Sequence, residues 1–173
     1  MPDDGTREAL TTDITYRPIG VIRTPFTDVA GMPVQSAGAI GIGGRIELDP
    51  SLVEGLVDLD GMSHIILLYH LDRVGPVKLT VRSFFDDALH GVFATRSPAR
   101  PVAIGLSVVR LVAMDGPTLE IEDVDMLDGT PLLDIKPYVP ALDDRQGARI
   151  GWYEGRVGDP SAVRSDDRFS GPR

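Results

Sequence analysis

"IGLSVVRLVAMDGPTLEIEDV", residues 104–124, decides how this chain folds. Two apolar-rich runs, Ile104–Met114 and Thr118–Val124, flank Asp115-Gly116-Pro117. An Asp-Gly step between two such runs marks a hairpin turn. The segment therefore predicts two antiparallel strands joined by a tight connection.

The same grammar continues on either side. Tyr16–Ile22, Arg45–Leu48, Ser63–Leu71 and Leu132–Tyr138 read as further strands, and Val77, Leu79 and Val81 alternate as in a half-buried one. Asp49-Pro50 opens a short helix, with a capping side chain followed by proline at the first helical position. Leu52, Val53 and Leu56 give that helix its apolar face, and it should end before Asp60-Gly61. Phe84–His90 reads as a turn or a helical stub, and the small, glycine-rich residues 27–44 as loop. "GAIGIGG" (38–44) has no strand before it and no helix after it, so it reads as flexible loop rather than a nucleotide cradle. Strands do not alternate with helices, which disfavours a doubly wound sheet. The prediction is a mainly-β barrel with one or two short helices. Residues 1–13 read as a flexible leader, 14–155 as the barrel domain and 156–173 as a disordered tail.

Composition removes several chemistries. The 173 residues suffice for one real core. There are no cysteines, which excludes disulfides, zinc–cysteine sites and thiol catalysis. His64, His70 and His90 are scattered, so no metal site is expected. The polar, acidic start "MPDDGTREALTTD" is not a signal peptide, and no apolar run has the length of a membrane span. The expected location is the cytoplasm, with no membrane partner. A net charge of −9 argues against a broad nucleic-acid footprint but leaves room for a local basic pocket.

Two segments stand out chemically. In "FATRSPARPVAIGLS" (93–107), Arg96 and Arg100 lie four apart while Pro98 and Pro101 stiffen the backbone. Such a loop either presents a guanidinium fork to a carboxylate or phosphate, or is an ordinary solvated loop. In "DGTPLLDIKPYVP" (128–140), Asp128–Pro131 is a turn, and Asp134, Lys136 and Tyr138 share one strand face while Leu133, Ile135 and Val139 face the core. That face is either a ligand surface or a solvated one bearing a weak Asp–Lys pair.

These segments, with "IGVIRTPF" (19–26), "GMPVQS" (31–36) and "MSHIILL" (62–68), resemble the TsaA-like (YaeB/TrmO) family over Tyr16 to Trp152. The resemblance implies a single-sheet β-barrel of the class VIII methyltransferase type, usually a homodimer with its cofactor near the subunit interface. It implies S-adenosyl-L-methionine as methyl donor and, as acceptor, N6 of threonylcarbamoyl-adenosine beside the tRNA anticodon. Carried over motif by motif, it assigns Thr24, Pro25, Phe26, Arg96, Leu106, Asp128, Gly129, Thr130 and Pro131 to cofactor binding. It makes Asp134 the candidate base or orienter of a catalytic pair, with Lys136 neutralising developing charge. The family's "RPNPIG" is here "RPVAIG", with Val102 and Ala103 in place of an Asn-Pro pair. His64 matches the family pattern and His70 stands two positions early. The sequence also reads as a short form without the C-terminal domain of longer members. Cofactor motifs are kept and acceptor motifs altered, so three readings follow: tRNA methylation, methylation of a small-molecule acceptor, or a non-catalytic cofactor-binding module.

Overall fold

The computed structural model describes residues 13–166, 168 and 169. Among them, eight strands form in chain order: β1 (Gly20–Arg23), β2 (Gly43–Leu48), β3 (His64–His70), β4 (Thr80–Arg82), β5 (Leu89–Gly91), β6 (Ile104–Asp115), β7 (Thr118–Glu122) and β8 (Thr130–Pro137). The expected hairpin is β6–β7, with Asp115 opposite Thr118. Gly116 takes φ +55°, and the ring of Pro117 holds its φ at about −65°. Positive then negative φ is the II′ pattern, whose twist suits a two-residue hairpin.

Six strands close into an antiparallel barrel in the order β1-β2-β7-β6-β3-β8, and β4 and β5 pair separately. This is the mainly-β barrel that the sequence predicts. Helix is sparse among the described residues: one α-helical turn, α1 (Pro140–Asp143), and several 3-10 turns. The predicted helix after Asp49 is a 3-10 segment over Pro50–Leu56, and the Asp49 side chain accepts from the Ser51 N–H at 2.9 Å as a cap should.

Alternation fills the barrel. β3 buries Ile65, Leu67 and Tyr69 and turns Ile66 and Leu68 outward. Ile22, Ile46, Ile65, Leu67, Val109, Leu119 and Leu132 are fully buried. Each such burial contributes about 1.5–3 kcal/mol. A six-stranded barrel is too narrow to leave a lumen once these side chains occupy it. A ligand site must lie at an end.

Strand direction chooses the end. β1, β3 and β7 run one way, and β2, β6 and β8 the other. Residues 24–42, 71–103 and 123–129 therefore meet at one mouth, while 49–63 and the 116–117 turn lie at the opposite end. The closing seam, β1 against β8, has three residue pairs, whereas β3–β6 has seven.

Three sequence expectations are corrected. Leu133 does not point into the core: Leu68 pairs with Asp134 and Tyr69 with Leu132, so Leu133 is the extra residue of a bulge. Leu132 and Ile135 take the inward positions instead. The expected strand at 77–81 shrinks to Thr80–Arg82, because Val77 and Leu79 find no facing surface and stay exposed. Residues 156–166, 168 and 169, part of the tail expected to be disordered over 156–173, fold back on the mouth. Pro33 and Arg164 form a bridge, and the Ser165 N–H donates to Met32 O at 2.8 Å. Phe169 anchors the strap by packing with Val81, Val92 and Ala99, apart from the barrel core. Residues 1–12 of the expected leader, with 167 and 170–173, lie outside the described residues.

Candidate functional site

The mouth is organised by the turn between β7 and β8. The Thr24 hydroxyl donates to Met126 O at 2.8 Å, and its N–H donates to Asp128 Oδ1 at 3.2 Å. The Asp128 N–H donates to Phe26 O at 2.7 Å, and the Gly129 N–H to Ile22 O at 2.9 Å. The Thr130 hydroxyl closes the turn onto Leu127 O at 2.8 Å. Pro131 follows in β8, opposite Val21 of β1. "TPF" and "DGTP", about a hundred residues apart in the chain, thus interlock through backbone groups. Arg23 lies 3.8 Å from Asp128 Oδ2, and Arg73 donates to the Asp128 carbonyl.

This turn is a wall between two concavities. On one side is a cavity of about 940 Å³, lined by Arg96, Leu106 and Thr130 together with Tyr69, Asp125 and Met126. On the other is a groove of about 720 Å³, lined by Thr24, Pro25 and Asp128 with Arg23 and Arg45. Phe26, Gly129 and Pro131 line neither and brace the wall.

The two arginines of the stiff loop have different roles. Arg100 Nη1 donates to Thr95 O at 3.1 Å and Ser97 O at 3.2 Å, so it ties the loop to itself. Arg96 is exposed on the cavity wall, where Nη1 donates to Gln35 Oε1 at 2.7 Å. The loop presents one guanidinium and uses the other as a brace.

Sequence reasoning missed the most polar part of this cavity. Tyr69 Oη lies 2.9 Å from Ser107 Oγ, and the Ser107 hydroxyl donates to Asp125 Oδ1 at 2.6 Å. Burial pushes the Asp125 carboxyl up to about 6, against the opposing effects of Ser107, the backbone N–H groups of Asp125 and Ser36, and the Arg96 charge. Burial, and then the Asp125 charge, push the Tyr69 phenol above its ordinary range. A signal was present: Ser107 shares the inward register of Val109, and a polar side chain there needs a partner.

Asp134 and Lys136 sit elsewhere. They stand on the outer face of β8 as an ion pair of 2.7 Å and line neither concavity. Asp134 is paired with Leu68, which does line the cavity, so the ion pair is at the rim. His64 opens β3 at the end opposite the mouth, 3.0 Å from the Ser63 hydroxyl. Among the described residues no group of His, Asp and Glu has the arrangement of a metal site, and no helix is long and apolar enough to cross a membrane.

Residues 21–144 match the tRNA-methyltransferase O N-terminal domain. The chain is 52% identical over 156 residues to a probable S-adenosyl-L-methionine-binding protein of Pyrococcus abyssi, covering 90% of this chain and 85% of that one. It is 34% identical to a mouse tRNA (adenine(37)-N6)-methyltransferase over 80% of this chain, but spans only 34% of that protein. The crystal structure of TrmO from Pseudomonas aeruginosa superposes with a TM-score of 0.67 at 40% identity, covering 82% of this chain and 63% of that one. A barrel whose loops meet at one mouth, and a family match that takes in all of its strands but the first residue of β1, lead to one conclusion: the chain belongs to the tRNA-methyltransferase O N-terminal domain family.

Proposed function

We propose that this protein is an S-adenosylmethionine-dependent methyltransferase that methylates N6 of threonylcarbamoyl-adenosine beside the tRNA anticodon. One observation carries the reading: the family-matched segment brings Arg96, Leu106 and Thr130 to one cavity, against the interlocked Thr24–Phe26 and Asp128–Pro131 wall. The names of the mouse and Pyrococcus abyssi relatives point the same way.

The residues present suit that cofactor. Arg96, held at one nitrogen by Gln35, offers its other N–H groups to the methionine carboxylate. Asp128, on the groove side of the wall, with Gly129 and Pro131, which brace it, holds the turn that brings Thr130 to the cavity for the nucleoside end of the cofactor. Leu106 and Met126 give the cavity apolar walls. When bound, the cofactor supplies a methyl group on a sulfonium. The protein's part is to align donor and acceptor, because in-line displacement depends chiefly on positioning. The Asp134–Lys136 pair orients the acceptor at the rim. The working form is a cytoplasmic homodimer, supported by the exposed apolar side chains of Phe93, Val102 and Leu106 near the cavity.

Thermal unfolding with S-adenosylmethionine and with its demethylated product tests donor binding, since a native-state ligand raises the midpoint by mass action. Absence of any shift removes the reading. Methyl transfer to bulk tRNA from a strain lacking the modification then tests the acceptor. The net charge of −9 motivates a second reading, a small-molecule acceptor, which transfer to a metabolite but not to tRNA would select. Donor binding with no acceptor in either panel identifies a non-catalytic module.

A further inference from the structure

Three acids line the cavity among the described residues: Asp72, Asp125 and Asp166. Asp72 is exposed and 3.5 Å from Arg73. Asp166 is bonded to Arg168 at 2.7 Å, which holds its carboxyl below the usual range. Asp166 is thereby stabilised as an anion and is a poor proton acceptor. Asp125 differs: it is desolvated, and it has no ion-pair partner within salt-bridge distance among the described residues.

Its surroundings are directional. The Ser107 hydroxyl donates to Asp125 Oδ1, which leaves the Ser107 oxygen to accept from the Tyr69 hydroxyl. Tyr69 is itself fixed, because its ring covers Gly105, the residue opposite it on β6. The charged and titratable groups acting on Asp125 are Tyr69 from β3 and Arg96 from the loop before β6, while Ser36 approaches with a backbone N–H. A carboxylate is thus held at one oxygen by the Ser107 hydroxyl, which the Tyr69 hydroxyl holds in turn, on the wall of the cavity that also presents Arg96.

We infer that Asp125 is the proton acceptor of the methyl-transfer step, and that Ser107 and Tyr69 are positioning residues which aim its carboxylate. The inference rests on the methyltransferase reading above. The lone pair of the acceptor nitrogen forms the new N–C bond to the methyl carbon. The C–S bond breaks, and its electron pair stays on sulfur as a neutral thioether. The N–H proton passes to the Asp125 carboxylate, so charge and atoms balance. A base that titrates near 6 is ionised at neutral pH yet remains a useful acceptor. Asp134 lacks this setting, being exposed and already paired with Lys136.

The test compares wild type, Asp125→Asn and Ser107→Ala by three readouts. These are transfer rate against pH on tRNA lacking the modification, calorimetric binding of S-adenosylmethionine, and carbon-13 titration of the aspartate carboxyls in the free protein. Asn keeps the oxygen that accepts from Ser107, so a purely structural role survives the substitution. Expected are a wild-type acid limb near pH 6, a loss of about 10²-fold or more in Asp125→Asn, and donor affinity within about threefold of wild type in that variant. The carboxyl resonance titrating near 6 should vanish in the same variant. Ser107→Ala removes a bond that favours the anion, so the limb should move to higher pH, which keeps the idea testable should Asp125→Asn fail to fold. A transfer rate unchanged in Asp125→Asn, a limb that persists there, or an unmoved limb in Ser107→Ala overturns the inference alone. A wild type that binds donor but transfers to no acceptor overturns the methyltransferase reading with it.

Discussion

Arg96 and Gln35 are joined by a 2.7 Å hydrogen bond across 61 positions, linking the loop ahead of β6 to the loop ahead of β2. Neither residue belongs to the barrel wall, so the bond organises the mouth without carrying the fold. Replacing Arg96 by Ala should weaken S-adenosylmethionine binding by about 10- to 100-fold, the scale of a lost charge-assisted contact. The unfolding midpoint should barely move, because exposed positions are tolerant. Calorimetry and a thermal melt on the same sample check both halves, and Arg96→Lys should recover only part of the affinity.

Asp125 makes stability depend on pH in a particular sense. Its carboxyl is raised to about 6 in the folded protein and titrates at about 3.9 when unfolded. Below about pH 4 it is protonated in both states; between the two values only the folded protein holds the proton. Its favourable contribution is therefore present at low pH and lost as pH rises through about 6. Asp125→Asn should be more stable than wild type at pH 8 by up to about 3 kcal/mol, with the gap closing towards pH 4. Urea melts of the free proteins at matched pH measure it. A gap that widens on acidification contradicts the burial argument.

Gly105 has no room for a side chain. A Cβ there would overlap the Tyr69 ring, which is only 6% exposed and packed in the core. Gly105→Ala should cost about 1–3 kcal/mol by overpacking. It should also displace the Tyr69 hydroxyl from Ser107, and so shift the acid limb of the rate profile. Gly91→Ala, at a position where a Cβ meets nothing, is the control.

The Asp134–Lys136 pair is exposed on both sides, with side chains 43% and 57% accessible. Exposed pairs of this kind contribute about 0.2–1 kcal/mol. Asp134→Asn should leave donor binding unchanged and slow transfer to tRNA by less than about threefold, chiefly through KM. A hundredfold fall in kcat would return the base to Asp134.

What could be read from the sequence follows a physical rule. The β6–β7 hairpin was legible because its turn chemistry is local, confined to Asp115–Thr118. The barrel class followed from many short strands without alternating helices. The bulge at Leu133 was not legible, since two consecutive leucines satisfy either register equally. The fold-back of residues 156–166, 168 and 169 was hidden because one aromatic, Phe169, anchors a mostly polar, glycine- and proline-punctuated strap. Interlocking of "TPF" with "DGTP" came only through family resemblance. Asp125 looked like its neighbours Asp123 and Asp128, and what distinguishes it is its hydrogen bond from Ser107 on β6, which leads on to Tyr69 on β3.

The three-pair seam between β1 and β8 has a consequence for how this protein fails. Pro131 sits within it and cannot donate to the ladder, so it is weaker than the seven-pair β3–β6 junction. Both halves of the Thr24–Asp128 interlock hang from the ends of those two strands. When the seam gapes, the wall proposed to bind the donor comes apart while most of the barrel remains paired. Heat inactivation should therefore precede loss of β-sheet signal, and bound donor should act as a clasp that brings the two events together.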